Sequence, residues 1–280
     1  MGYLNVNGQI LPAGTAVLQA DNRSYRYGDG LFETMKVVHG RISLAHYHWE
    51  RFFSGLQLLG FAVPASFTPT TLQEEIIQLC TQNKCTELAR IRLSAFRGNG
   101  GLYDDDTASL QYMIECQDAG DTVNRLNEEG LVTGIFPDAR KSCDRFARLK
   151  SANYLPYAMA ARYARRNGLH ECLVLNTYER IADATIANVF LVRDGCIYTP
   201  PVSEGCIAGT MRRYLLEKGR PAGFAIEEKA ITPAETAIAD ELFLTNALYG
   251  LRWVKNHGAA TYGNQLATAV YNELIKPIWS

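Results

Sequence analysis

The chain has 280 residues, 47% apolar and 20% charged, and its 28 Lys and Arg nearly balance 29 Asp and Glu, leaving a net charge of −1. At roughly 150 residues per domain this length predicts two domains, and the apolar content excludes a mainly disordered chain. The charge balance gives no electrostatic footprint for nucleic acid or an anionic membrane, and no run reaches the ~18 apolar residues of a membrane span.

In chain order, residues 3–10 read as an edge strand ending in a turn at Asn7-Gly8. Residues 31–38 alternate as a strand and turn at His39-Gly40 into 41–44. Residues 45–59 carry apolar side chains at helical spacing and stop at Gly60, and 71–82 form a second amphipathic helix. Strands 88–96 and 109–116 complete an α/β domain over 1–117. The polar stretch 118–129 reads as a linker to a domain over 130–280. There the pattern predicts strand 131–136, helix 152–166, strand 171–176 and a hairpin over 180–199 turning at Asp194-Gly195. Helix 209–218, strand 223–228, a short helix after Pro233, strand 241–245 and helix 264–275 follow. Strands joined both by hairpins and by helices predict a mixed sheet. Neither GxGxxG nor GxxxxGK[ST] occurs, which removes the main signature of nucleotide folds.

Seven cysteines, an odd number without a CxxC pair, argue against a disulfide framework or a zinc ribbon and point to a reducing cytoplasm. The N-terminal MGYLNVNGQ shows no basic and apolar leader, so no signal peptide is expected.

Several residues invite chemistry. Lys150 sits where an irregular stretch enters an apolar helix, a place where desolvation makes an amine nucleophilic, although a lysine there also snorkels to solvent. Gly209-Thr210 at a helix start exposes backbone N–H groups, an anion site or a plain capped turn. Arg51 lies on the first helix, either as an anion grip or paired with Glu50. Asp183 interrupts an apolar strand and requires a partner, such as a backbone N–H or Arg180. Arg90 and Arg92 point to one face of a strand, where they repel unless an anion or carboxylates lie between them. Arg26 and Tyr27 precede the tight turn Gly28-Asp29-Gly30.

Taken together and in order, these pieces resemble the class IV pyridoxal-phosphate aminotransferases, which include branched-chain aminotransferases, D-amino acid aminotransferases and 4-amino-4-deoxychorismate lyases. The resemblance rests on Tyr27-Gly-Asp-Gly-Leu-Phe-Glu-Thr34, His48-x-x-Arg51, Lys150-Ser-Ala-Asn-Tyr154, Asp183-x-x-x-x-Asn188-Val-Phe190, Tyr198-Thr-Pro-Pro201, Ala208-Gly-Thr-Met-Arg212 and Leu244-Thr-Asn-Ala247. It runs from Asn7-Gly8 to about Val254. It implies an α+β, two-domain fold of type IV, with an N-terminal α/β sandwich and a C-terminal mixed-sheet pseudo-barrel, and pyridoxal 5′-phosphate as cofactor. By the same resemblance Lys150 bonds covalently to the cofactor and later moves the proton between Cα and C4′. Arg51 binds the phosphate with Gly209, Thr210 and a contact near Ala247, and Tyr154 lies near the phenolic oxygen. Asp183 falls where the family usually has a Glu facing the pyridine nitrogen. The resemblance also implies a homodimer in which the turn carrying Arg26 reaches the neighbouring subunit's site.

The reaction is less sharply marked. Met211 after Gly-Thr, the Thr-Asn-Ala-Leu run and the 95–103 loop resemble the lyases, whereas Tyr154 after Lys-Ser-Ala-Asn resembles the branched-chain enzymes. Arg92 aligns with an arginine of the branched-chain pocket, and Arg90 replaces a tyrosine there. The Arg-x-His carboxylate clamp of the D-amino acid enzymes is missing, because Gly98 and Asn99 follow Arg97. Arg26, Arg90 and Arg92, together with Tyr27, nonetheless suit a substrate rich in carboxylates. The expected reaction is transamination between an amino acid and a 2-oxo acid such as 2-oxoglutarate or pyruvate, with D-amino acids ahead of L-branched-chain ones. Aminodeoxychorismate lyase and an inactive homologue are the remaining readings, the last supported only by Asp183.

Overall fold

Period-two patterning in the first third of the chain becomes a six-stranded antiparallel sheet in a computed structural model, which describes residues 2–104 and 110–279. The elements are β1 (Tyr3–Val6), β2 (Gln9–Pro12), α1 (Arg23–Tyr27), β3 (Gly30–Val38), β4 (Arg41–Ile42), α2 (Ala45–Leu58), α3 (Pro69–Gln82), β5 (Leu88–Arg97) and β6 (Leu110–Asp118). The strand order is β2-β1-β6-β5-β3-β4. The expected edge strand over 3–10 is two strands. Asn7 and Gly8 both take positive φ, 51° and 86°, so the chain folds back as a hairpin that pairs Val6 with Gln9. The expected start of β6 at Ser109 lies outside the described residues. The single-turn α1 was not predicted; Asn22 caps it by accepting from the Tyr25 N–H.

Register decides what each face of this sheet carries. Directly opposed residues share a face, so Phe32, Thr34 and Lys36 lie with Ser94, Arg92 and Arg90, and then with Met113, Glu115 and Gln117. The other face carries Leu31, Glu33, Met35 and Val37 with Ala89, Ile91, Leu93, Ile114 and Cys116. There α2 packs on β3, and α3 packs on β1 and β6. Phe52, Leu56, Leu72, Ile76 and Leu79 are buried beneath the helices. Truncating one of them to Ala costs about 2–5 kcal/mol.

This sheet belongs to a unit of Met1–Asp121 that also takes in Lys150–Tyr154; the second unit is Thr122–Leu149 with Leu155–Ser280. The segment 150–154 is not helical, although the sequence predicts a helix from 152. Pro156 is tolerated only in a first turn, so the helix starts at Leu155. The backbone ahead of it bonds to β3 instead: Phe32 N–H donates to Lys150 O at 2.9 Å and Ala152 N–H to Gly30 O at 2.8 Å.

The second unit contains β7 (Leu131–Lys141), α4 (Leu155–Arg166), β8 (Glu171–Asn176), β9 (Ile181–Ala184), β10 (Asn188–Arg193), β11 (Cys196–Thr199), α5 (Thr210–Gly219) and β12 (Ile226–Glu228). It continues with α6 (Pro233–Thr236), β13 (Glu241–Asn246), β14 (Gly250–His257), β15 (Ala260–Thr261) and α7 (Gln265–Val270). Its sheet is mixed, in the order β12-β11-β10-β13-β14-β7-β8-β9, with β15 on β14. Leu173, Leu175, Val189, Leu191, Leu242 and Leu244 form its core. The span 180–199 is not one hairpin. β9 pairs with β8, and β10 pairs with β11 and β13, while curling of the sheet brings β9 back beside β10. This is the fold type IV architecture. Among the described residues, no helix is long and apolar enough to cross a membrane.

Candidate cofactor and substrate site

Glu33 organises the first unit's contribution. It is 1% exposed, and its carboxylate accepts from Arg51 Nε at 2.7 Å and Nη2 at 2.5 Å, and it meets His48 Nδ1 at 2.7 Å. Burial alone raises the Glu33 carboxyl, but the charges and hydrogen bonds of Arg51 and His48 outweigh it and hold the group at about 2. Burial lowers His48, with the Arg51 and Lys150 charges acting in the same direction against Glu33. Arg51 thus pairs with Glu33 rather than Glu50, which meets His46 at 3.4 Å. Spacing puts His48 and Arg51 on adjacent turns of α2, but nothing in the sequence names the strand carboxylate they share.

Lys150 Nζ lies 4.4 Å from the Phe32 ring centre and 5.7 Å from that of Tyr154, and the two rings meet edge-on at 5.5 Å. The Arg92 guanidinium covers Phe32 at 3.9 Å and stands 3.8 Å from Glu115. Arg90 shares this face, and so does Lys36, a site residue outside the family motifs. Lys36 has no exposed surface, and burial pushes its amine down to about 6. The signal was present in the alternation Phe32, Thr34, Lys36. Arg26 and Tyr27 are exposed on α1; Arg26 Nε donates to Ala20 O at 3.1 Å.

In the second unit Asp183 is buried at the centre of a donor cluster. Its Oδ2 accepts from the Tyr157 hydroxyl at 2.8 Å and Ile207 N–H at 2.7 Å, and Lys141 Nζ is 3.5 Å away. Oδ1 accepts from Asn188 Nδ2 at 2.9 Å. Lys141 also bonds to the Tyr157 hydroxyl. Of the two expected partners, the backbone N–H is present, from Ile207, and Arg180 is elsewhere, on Glu204 at 2.6 and 2.7 Å. Burial raises the Asp183 carboxyl, against the lowering by Lys141 and the hydrogen bonds.

Asn188 ties this cluster to the head of α5 by donating also to Ile207 O at 2.8 Å. A Cβ on Gly209 would fall 1.8 Å from Asn188 Oδ1, so only glycine fits at the helix N-cap. Gly209 donates its own N–H to Ile207 O at 2.8 Å, which leaves the first turn from Thr210 onward to face an anion. Thr245 pairs with Asn188 across β13 and β10, and its buried hydroxyl has no hydrogen-bond partner among the described residues. Ala247 follows in the turn that Asn246 Oδ1 holds through the N–H groups of Leu248 and Tyr249.

A lysine beside aromatic rings, a clamped arginine, a glycine-headed helix and a buried carboxylate are the parts a phosphorylated pyridine cofactor requires. Residues 30–256 match the family described as Amino-transferase class IV. The chain belongs to this family. Pyridoxal 5′-phosphate is therefore the cofactor of this member of the class IV family. It is 26% identical to an aminodeoxychorismate lyase of Bacillus subtilis over 94% of this chain and 89% of the relative. It is 24% identical to a D-alanine aminotransferase of Bacillus licheniformis, over 86% and 83% respectively. In fold it is similar to a branched-chain aminotransferase from Thermoproteus uzoniensis, crystallised with norvaline. That match has a TM-score of 0.89 at 21% identity and covers 99% of this chain and 95% of that one.

The residues present fit the cofactor on structural grounds of their own. The Thr245 hydroxyl is an orphaned polar group, and Gly209 keeps the head of α5 clear. Asp183 Oδ1 accepts one hydrogen bond where Oδ2 accepts two and faces Lys141, so a carboxylate oxygen has capacity left for a ring N–H.

Proposed function

We propose that this aminotransferase moves an amino group between an amino acid and a 2-oxo acid such as 2-oxoglutarate or pyruvate, with D-alanine and D-glutamate used ahead of L-branched-chain donors. The observation that carries this reading is the shared face of Arg90 and Arg92, beside the Phe32 ring that Lys150 approaches. Arginine forks bind carboxylates bidentately. Apart from Phe32 and Met113, the same face offers Thr34, Ser94, Glu115 and Gln117, which suits a polar substrate better than a branched apolar side chain.

Bound pyridoxal phosphate supplies an electron sink for the pair released when the Cα–H bond breaks. Lys150 carries the cofactor and its Nζ takes the proton from Cα. Arg51, oriented by Glu33, holds the phosphate together with the first turn of α5 at Thr210 and the turn at Ala247. Asp183 would accept the ring N–H, and Tyr157, Asn188 and Ile207 fix its carboxylate in place. Tyr154 stands beside Lys150 to meet the phenolic oxygen. The active form in this reading is a cytoplasmic homodimer, with the exposed Arg26–Tyr27 turn serving the neighbouring subunit.

The test is a substrate panel on the holoenzyme: D-alanine with 2-oxoglutarate, D-glutamate with pyruvate, L-leucine and L-isoleucine with 2-oxoglutarate, and aminodeoxychorismate alone. Amino transfer from the D-amino acids is expected to dominate. Turnover of L-leucine without D-alanine or D-glutamate would replace this reading with the branched-chain one. Pyruvate release from aminodeoxychorismate without amino transfer would assign a lyase.

A further inference from the structure

On the helix-covered face of the first sheet, opposite the face that carries Phe32 and Arg92, three cysteines meet. Cys80 lies near the end of α3, Cys85 follows in the connection to β5, and Cys116 stands on β6 opposite Ile91. Cys85 Sγ is 2.8 Å from Cys116 Sγ, and Cys116 Sγ is 3.6 Å from Cys80 Sγ; all three sulfurs lie within 4.8 Å of one another. All three are free thiols, Cys80 and Cys85 buried and Cys116 half-buried. The backbone fixes the arrangement, with Cys85 N–H on Cys80 O at 3.0 Å and Cys116 in the central ladder. None of them takes part in the chemistry proposed above.

The chemistry of the cluster favours a neutral product. Burial and the neighbouring sulfur of Cys116 push the Cys85 thiol up to about 12, and the Cys80 contact followed by burial raises Cys116 further. A metal ion would require these thiols as thiolates, adding negative charge to an apolar layer. A disulfide buries no charge.

We infer that Cys85 and Cys116 are an oxidation-responsive pair, converted to a disulfide by exchange with a low-molecular-weight disulfide that enters at half-buried Cys116. In the first step the Cys116 thiol gives up its proton to water, and the small thiolate fraction so formed attacks one sulfur of the reagent and breaks its S–S bond, whose leaving thiolate takes up a proton. A mixed disulfide forms, and the first reagent thiol leaves. The Cys85 sulfur then attacks the Cys116 sulfur and expels the second reagent thiol, which takes the Cys85 proton. Two cysteine sulfurs are oxidised, and the reagent is reduced to two thiols. The new bond closes the chain from 85 to 116 around the β5–β6 pair, the strand pair that carries Arg90 and Arg92.

The experiment treats the full-length holoenzyme with bis(2-hydroxyethyl) disulfide, alkylates the remaining thiols, digests without reduction and maps the peptides by mass. Lys84 lies between Cys80 and Cys85, so trypsin separates their peptides. The expected product joins the peptide 85–90 to the peptide 98–125, two hydrogens lighter than their sum, and forms faster at pH 8.5 than at pH 7. Cys80→Ser retains the link and Cys85→Ser abolishes it. A lasting reagent adduct on Cys116 without the link would overturn the inference. So would an unmodified pair while Cys143 and Cys196 react, or zinc that co-purifies with the protein and protects all three thiols.

Discussion

Replacing Glu33 by Gln removes the carboxylate that orients Arg51 while keeping the side chain's size. Glu33 is buried, and Arg51 and His48 hold its carboxyl at about 2, down from an ordinary 4.5. At about 1.4 kcal/mol for each tenfold in proton affinity, this displacement is worth about 3 kcal/mol of folding stability. That agrees with the ~3–5 kcal/mol typical of breaking a buried ion pair from one side. Because the folded value lies below the unfolded one, the contribution is complete above about pH 4.5 and drains away as pH falls toward 2. Urea unfolding of the cofactor-free protein at several pH values reads it directly. Wild type should exceed Glu33→Gln by about 3 kcal/mol at pH 7 and by roughly half as much at pH 3. A gap that is the same at both pH values would show that the Glu33 charge is not what Arg51 and His48 stabilise, and the clamp argument would fail.

Gly209→Ala places a Cβ 1.8 Å from Asn188 Oδ1, so the head of α5 must shift; cofactor affinity, read by absorbance titration, should fall at least about tenfold, or about 1.4 kcal/mol. Thr245→Val should leave the cofactor-free protein as stable as wild type or more so, since it deletes an unpartnered buried hydroxyl, yet weaken cofactor binding; equal binding would remove Thr245 from the site. Asp183→Asn should cost far more in kcat than in cofactor affinity, and Asp183→Glu should be mild; normal turnover of Asp183→Asn would assign the ring nitrogen to another group. Arg92→Ala should raise KM for all amino acids if it holds the α-carboxylate, and only for dicarboxylic ones if it holds the distal group; an unchanged KM for both would take Arg92 off the substrate.

The family motifs were legible because they pair unusual residues with short fixed spacings, and the Arg90/Arg92 face follows from strand alternation alone. What escaped the sequence were partners brought together from distant positions. Glu33 reads as an ordinary strand residue until α2 folds over it with His48 and Arg51. Lys141 lies beyond the strand expected over 131–136, because β7 runs on to Lys141 through a register shift between Ile135 and Arg140. Asp183 visibly needed a partner and takes a backbone N–H, but from distant Ile207, while Arg180, its neighbour in sequence, is engaged by Glu204. The expected helix over 264–275 is α-helical only to Val270 and then widens into a π turn over Tyr271–Ile275, a change that apolar spacing does not encode.

The assignment of the cofactor to Lys150 is tested most directly by reducing the holoenzyme with borohydride and mapping the modified lysine by mass. Lys150 is half-buried, and two other lysines are buried, Lys36 on the arginine-bearing face and Lys141 beside Asp183, so the measurement discriminates among chemically credible positions. The account predicts a phosphopyridoxyl group on Lys150, and loss of the label in Lys150→Ala. A label on Lys36 or Lys141 in the wild-type enzyme would contradict it.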